Sequence, residues 1–215
     1  MPQIDLATLD PARTVVVATG NAHKLTEIQA ILGAAPCMAD MRFVALGALG
    51  DWPDPEEDGE TFCDNALIKA RAALDATGLT MAVADDSGLC VDALGGDPGI
   101  HSARWAGEHG NDAANNELLL EQLAAVPDEQ RSARFHSCVV LVSRDEDGEE
   151  VLVGDGDCEG TIAHDLRGTN GFGYDPLFEL ADIPGRRMAE LEPEEKNAIS
   201  HRRRALDDLV AKLAD

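Results

Sequence analysis

The sequence predicts an α/β protein built on a mixed β-sheet. Helical and strand patterns alternate through the first half, a long hairpin dominates the second half, and no linker is long enough to separate independent domains. Residues 1–215 therefore read as a single domain, long enough to bury a sizeable core.

Each element has a local signature. In "TVVVATGNAHKLTEI" three valines form a strand buried on both faces, Gly20 and Asn21 a tight turn, and Leu25, Ile28 and Leu32 the apolar stripe of a helix over about 22–33. That junction aims free backbone N–H groups and a positive helix end at one spot, which suits an anion, and Lys24 adds a full charge. "RFVALGAL" is a candidate second strand, and "GDWPDPEEDGE" an acidic loop. "TFCDNALIKARAALDATG" is a helix with Thr61 as N-cap, Asp64 in the capping-box position and Gly78 as its stop. "LTMAVADDSGL" reads as a strand followed by a turn, "ALGGDPGIHSARWAG" as an irregular loop and "NDAANNELLLEQLAAV" as a helix. "ARFHSCVVLVSR" and "EVLVGDGDCEGTIA" form the hairpin around "DEDGEE". "RGTNGFGYDPLF" is loop, then short strand. Pro193, Glu194 and Glu195 start a helix, and Leu206, Leu209, Val210 and Leu213 give the last helix its stripe.

The bulk composition excludes several classes. A net charge of -24 repels nucleic-acid backbones, so no nucleic-acid partner is expected, and any phosphate ligand needs local cations. No apolar run approaches the ~20 residues that cross a bilayer, and no secretory leader pattern opens the chain. The chain reads as cytoplasmic, with no membrane partner. Five scattered cysteines, with no Cys-x-x-Cys, argue against a disulfide framework or a zinc site. Positive charge comes from thirteen arginines and only four lysines, yet Lys24, Lys69 and Lys196 all fall in segments singled out on other grounds. Lysine is a compact point charge suited to phosphate.

Four stretches carry candidate chemistry. "VADDSG" sets Asp85 and Asp86 side by side at a strand end, where a carboxylate can bind Mg²⁺ or take a proton from water; the same residues also suit a plain turn. Neighbouring strand residues face opposite ways, so one aspartate can face a site while the other serves structure. "EEDGETF" offers Glu56 and Glu57 as further acidic ligands, or as a solvated loop. "GTNGFGYDP" lets the backbone approach a ligand closely, with Phe172 to stack on a base and Asp175 to accept from ring N–H groups; it reads equally as a packed turn. "EEKNAISHRRRAL" gathers Lys196, His201 and Arg202 near a helix, with Lys196 and Arg203 seven apart on one face. No dinucleotide fingerprint or phosphate loop occurs. "GDGDCEGT" fails as a haloacid-dehalogenase-type motif because Glu159 stands where Thr or Val is required.

Taken in order, "TGNAHKLTEI", "ETFCDNALIKA", "ADDSGLCVDALGGDPGIHSARWAG", "GFGYDPLF" and "EKNAISHRRRAL" resemble the inosine triphosphate pyrophosphatase family, the non-canonical purine NTP pyrophosphatases or dITP/XTP diphosphatases, in their bacterial form. The resemblance runs from about Thr14 to Leu213. It implies an elongated, two-lobed α/β fold around a long mixed sheet with a cleft between lobes, a homodimer, and a requirement for Mg²⁺. The implied reaction is hydrolysis of ITP, dITP or XTP to the monophosphate and pyrophosphate. Thr19, Gly20, Asn21 and Lys24 would hold the triphosphate, with Lys69 as a second phosphate contact. Asp86 would be the proton acceptor and metal ligand, with Glu57 or its neighbour Glu56 beside it. Ser87 would line the substrate site, Phe172, Gly173, Tyr174 and Asp175 would hold the base, and Lys196, His201 and Arg202 would close over it. Donors aimed at a 6-oxo group would be left unpaired by adenine, a cost of ~1–3 kcal/mol per buried group. Two other readings of these residues are a nucleotide-binding regulatory module without turnover and a pyrophosphatase for other modified NTPs.

Overall fold

The computed structural model describes residues 4–19 and 22–214. Six strands, β1 (Thr14–Val17), β2 (Arg42–Ala45), β3 (Met81–Val91), β4 (Ser132–Arg144), β5 (Glu149–Ile162) and β6 (Phe178–Leu180), form one sheet in the order β2-β1-β3-β4-β5-β6. β1 runs parallel to both β2 and β3, whereas β5 and β6 are antiparallel, so the sheet is mixed. The helices are α1 (Ala22–Leu32), α2 (Leu46–Leu49), α3 (Phe62–Thr77), α4 (Asp112–Gln122), α5 (Pro193–Ile199) and α6 (His201–Leu213). Gly20 and Asn21, the predicted turn after β1, lie outside the described residues.

The chain divides into two compact units. The first holds the chain up to Asp86, Cys138–Gly156, and the chain from Arg202 onward; the second holds Ser87–Ser137 and Asp157–His201. In the first unit the strands alternate between two cores. Val16, Ala82, Ala84 and Val140 pack with Ala66, Ala70, Ala73 and Leu74 of α3. Val15, Val17, Val83, Val139 and Leu141 pack instead with Ile28 and Leu32 of α1 and with Ala205, Leu206 and Leu209 of α6. This period of two fixes which helix each strand side chain meets. In the second unit Leu89, Val91, Phe135, Cys158 and Phe178 form a core with Leu119 of α4 and Leu123 just after it. The Arg131 guanidinium is buried there and donates to the carbonyls of Leu123, Ile162 and Ala163 at 2.6, 2.7 and 3.1 Å. It ties the end of α4 to the end of β5.

Several local expectations hold. Thr61 caps α3, its hydroxyl accepting the Asp64 N–H while Asp64 accepts the Thr61 N–H, and Gly78 ends the helix in the left-handed region at φ 68°. Residues 145–148 join β4 to β5. Three details differ from the sequence reading. Asp85-Asp86-Ser87-Gly88 is not a turn: β3 runs straight through it to Val91, because the apolar residues on both sides keep the strand buried. "RFVALGAL" is strand only as far as Ala45 and then a single helical turn. "EKNAISHRRRAL" is two helices, broken where Ser200 adopts extended angles (φ -64°, ψ 155°), so Lys196 and Arg203 do not share a helix face.

Candidate active site

The first unit places the two adjacent aspartates of β3 in opposite environments. Along the strand Ala82 and Ala84 face the α3 core and Val83 the other. Asp85 therefore falls on the α1 and α6 side, and Asp86 on the α3 side. Asp85 is 3% exposed. Both its oxygens accept from the Lys24 ammonium of α1 at 3.0 Å, and its Oδ2 also accepts from Arg202 Nε of α6 at 2.9 Å. Arg202 Nη1 lies 3.3 Å from Glu27 Oε2, one turn beyond Lys24. The other Glu27 oxygen is buried without a hydrogen-bond partner among the described residues. Burial opposes the charged form of Asp85, but Lys24, Arg202 and Lys69 outweigh it and hold the carboxyl well below its ordinary range.

Asp86 meets a different set. Its Oδ1 accepts from Lys69 Nζ of α3 at 2.7 Å, and Lys69 Nζ also lies 3.3 Å from Glu57 Oε1. Asn65, fully buried and one turn before Lys69, reaches Asp86 Oδ2 at 3.5 Å with its amide nitrogen. Its amide oxygen accepts the Gly59 N–H at 2.9 Å and so ties down the acidic loop. Burial, with Glu57 and Asp85 nearby, pushes the Asp86 carboxyl above its ordinary range against the pull of Lys69. Asp85 is thus locked as an anion that holds cations, and Asp86 is a more basic carboxylate suited to taking a proton. Glu56 is exposed. The Thr19 N–H donates to the Val17 carbonyl at 2.8 Å, closing the end of β1.

The second unit holds a solvent-open pocket of about 550 Å³. Ser87, Phe172, Gly173, Tyr174, Asp175, Lys196 and His201 all line it, joined by Asp112, Ser102 and Phe135. Phe172 is 64% exposed, and Lys196 Nζ sits 4.6 Å from its ring centroid. The Asp175 carboxylate accepts from Lys196 and from the Phe172 N–H, the latter at 2.9 Å. Burial raises the Asp175 carboxyl above its ordinary range despite both contacts. Tyr174 is buried and its hydroxyl donates to the Ser102 carbonyl at 3.0 Å, so its ring belongs to the pocket floor. His201 stacks on Phe135 with centroids 5.2 Å apart.

Gly171 makes this cluster possible. A Cβ there would fall 1.9 Å from Asp175 Oδ2 and 3.2 Å from Lys196 Nζ, at a φ of 79°. Gly171→Ala is expected to lower the affinity of this pocket for its ligand about tenfold or more, because the Asp175–Lys196 pair must move; binding titrations of the variant check this.

The sequence reading missed five of these residues. Asn65 and Glu27 carried a signal, since they stand four before Lys69 and three after Lys24 on the same helix faces. Asp112, Ser102 and Phe135 carried none, because only the fold brings them to the pocket.

Comparison with known proteins gives one consistent answer. The Ham1 family profile matches residues 15–212. The dITP/XTP pyrophosphatase of Corynebacterium diphtheriae is 51% identical over 204 residues, 93% of this chain and 96% of that protein. The HAM1 protein of Coxiella burnetii superposes with a TM-score of 0.82 at 43% identity, covering 94% of this chain and 98% of that one. The nucleoside-triphosphatase / dITP/XTP pyrophosphatase of Mycobacterium abscessus does so with a TM-score of 0.77 at 46% identity, covering 93% and 99%. A profile match along nearly the whole length, with half-identical relatives and the same fold, makes this chain a member of the Ham1 family.

Proposed function

We infer that this chain is a nucleoside triphosphate pyrophosphatase that hydrolyses non-canonical purine nucleotides, dITP, XTP and ITP, to the monophosphate and pyrophosphate. The observation that carries the reading is the split between two neighbouring carboxylates: Asp85 neutralised by Lys24 and Arg202, and Asp86 made more basic beside Lys69. The names of the relatives from C. diphtheriae and M. abscessus point to dITP and XTP.

In this reading Lys24 and Lys69 bind the phosphates, with Thr19, Gly20 and Asn21 contributing from the end of β1. Asp85 orients Lys24 and Arg202. Asp86 takes the proton from the attacking water, for which a raised pKa is an advantage. Asp86 and Glu57 also suit Mg²⁺: both offer hard oxygen donors that converge on the one Lys69 ammonium, and Mg²⁺ commonly takes one or two carboxylates plus substrate phosphates. When bound, the ion neutralises phosphoryl oxygens and acts as a Lewis acid. Phe172 stacks on the base, and Lys196, held by Asp175, donates to a 6-oxo group. An ammonium has no lone pair, so the amino group of adenine finds no acceptor there. Ser87, Gly173, Tyr174 and His201 shape the rest of the base pocket. The family resemblance also carries a homodimer, while the net charge of -24 argues against a nucleic-acid partner and scattered cysteines without a Cys-x-x-Cys suit a reducing, cytoplasmic setting. No helix among the described residues is long and apolar enough to cross a membrane.

Chromatography of the products made from dITP, with Mg²⁺ and with chelator, tests this. The expected products are dIMP and pyrophosphate, formed only with the metal. Formation of dIDP and phosphate contradicts the reaction, and tight binding without any product favours a regulatory module instead.

A further inference from the structure

α4 lies outside every motif that drew attention in the sequence, yet two of its side chains grip the turn that carries Phe172. Asp112 Oδ2 accepts the Gly173 N–H at 2.7 Å. Asn116 Nδ2 donates to the Gly173 carbonyl at 2.8 Å, and also to the Asp112 carbonyl at 2.7 Å, which fixes the orientation of its amide. The two residues stand four apart, one above the other on a single helix face. The peptide groups on both sides of Gly173 are thereby held. Gly173 itself has a φ of 61°.

Neither residue is the cap of the helix, although Asp112 in its first turn suits the helix dipole. Asn111 already serves as the N-cap, its side chain accepting the Ala114 N–H. Asparagine inside a helix is a poor choice on propensity, and Asn116 is buried with its Oδ1 lacking a partner among the described residues. A locally unfavourable residue points to a role elsewhere. Phe172 supplies that role. Its ring is mostly exposed, with the Lys196 ammonium 4.6 Å from its centroid, so little packing orients it and the backbone of the turn must contribute.

We propose that Asp112 and Asn116 are positioning residues that set the angle at which Phe172 meets the purine, which rests on the reading of this pocket as the base site. Held at the wrong angle, the ring loses stacking with every base alike, so the effect falls on nucleotide binding and not on the hydrolytic step.

The test is steady-state pyrophosphate release from dITP by the full chain, as wild type, Asn116→Leu, Asp112→Ala, Asp112→Asn, Phe172→Ala, and Asn116→Leu and Asp112→Ala each combined with Phe172→Ala. Asn116→Leu and Asp112→Ala are expected to raise KM about tenfold with kcat within about twofold. Asp112→Asn recovers most of the loss of Asp112→Ala, because its amide oxygen still accepts from Gly173. In the Phe172→Ala background the α4 changes raise KM less than about twofold, since the ring they position is gone. The proposal is overturned if their effects multiply with that of Phe172→Ala, or if they leave KM unchanged in the wild-type background. Should Asn116→Leu not fold, the more accessible Asp112→Ala carries the same comparison. A wild-type protein that releases no pyrophosphate from dITP refutes the base-site reading and this proposal with it, whereas an active wild type with multiplying effects refutes the α4 clamp alone.

Discussion

Asp86→Asn is expected to cut pyrophosphate release from dITP about a thousandfold while leaving the folded structure intact. The substitution keeps the shape of the side chain and one oxygen toward Lys69, but removes the carboxylate proposed to take the proton. General-base contributions run to ~10²–10⁴-fold, and loss of a metal-ligating carboxylate acts in the same direction. Folding is not expected to suffer, because the native environment already disfavours the Asp86 charge through burial and through Glu57 and Asp85. Circular dichroism and the assay on the same preparation check both halves. A variant that keeps more than about a tenth of wild-type activity would show that Asp86 is not the base.

Asp85→Asn should act on the fold. Asp85 is the shared acceptor of Lys24 and Arg202, and the guanidinium is itself buried. Removing one member of a buried ionic cluster leaves uncompensated charge, at a cost of about 3–5 kcal/mol. Lys24 is a quarter exposed and loses less, so the lower end applies, about 3 kcal/mol or roughly ten degrees in Tm for a chain of this size. The pH dependence has a definite sign. The folded Asp85 carboxyl sits well below its ordinary value of 3.8, so its stabilisation is fully present above that pH and declines progressively as pH falls below it towards the depressed folded value. Asp86 and Asp175, both raised, act in the opposite sense just above pH 3.8. Subtracting the variant's stability from that of wild type isolates Asp85: the difference should be flat at neutral pH and shrink in acid. Thermal melts from pH 7 to pH 3 measure it, and a difference that grows on acidification would contradict the assignment.

Much of this architecture was legible because the signals were local. The capping box of α3 and its glycine stop are set by short-range hydrogen bonds, and the period of two in β1 and β3 dictates which core each side chain joins. The same period forecast that Asp85 and Asp86 would face opposite ways. What was not legible depended on distant contacts. Asp-Asp-Ser-Gly is good turn chemistry, and only the apolar residues on both sides keep β3 straight there. The break at Ser200 separates two patterns that read as one helix, because nothing in the residues before it marks a stop. Asp112 and Asn116 were invisible for the same reason: their importance lies in the Gly173 backbone nearly sixty residues away.

The proposed function requires a pocket that accepts a 6-oxo purine base and a carboxylate that activates water for hydrolysis of the triphosphate. Initial rates of pyrophosphate release from dITP and dATP, compared side by side on one preparation with Mg²⁺, test it most directly. One or two unmatched donors in the base pocket predict that kcat/KM for dITP exceeds that for dATP by at least about tenfold. Equal rates on the two nucleotides, or release from dATP alone, would contradict it.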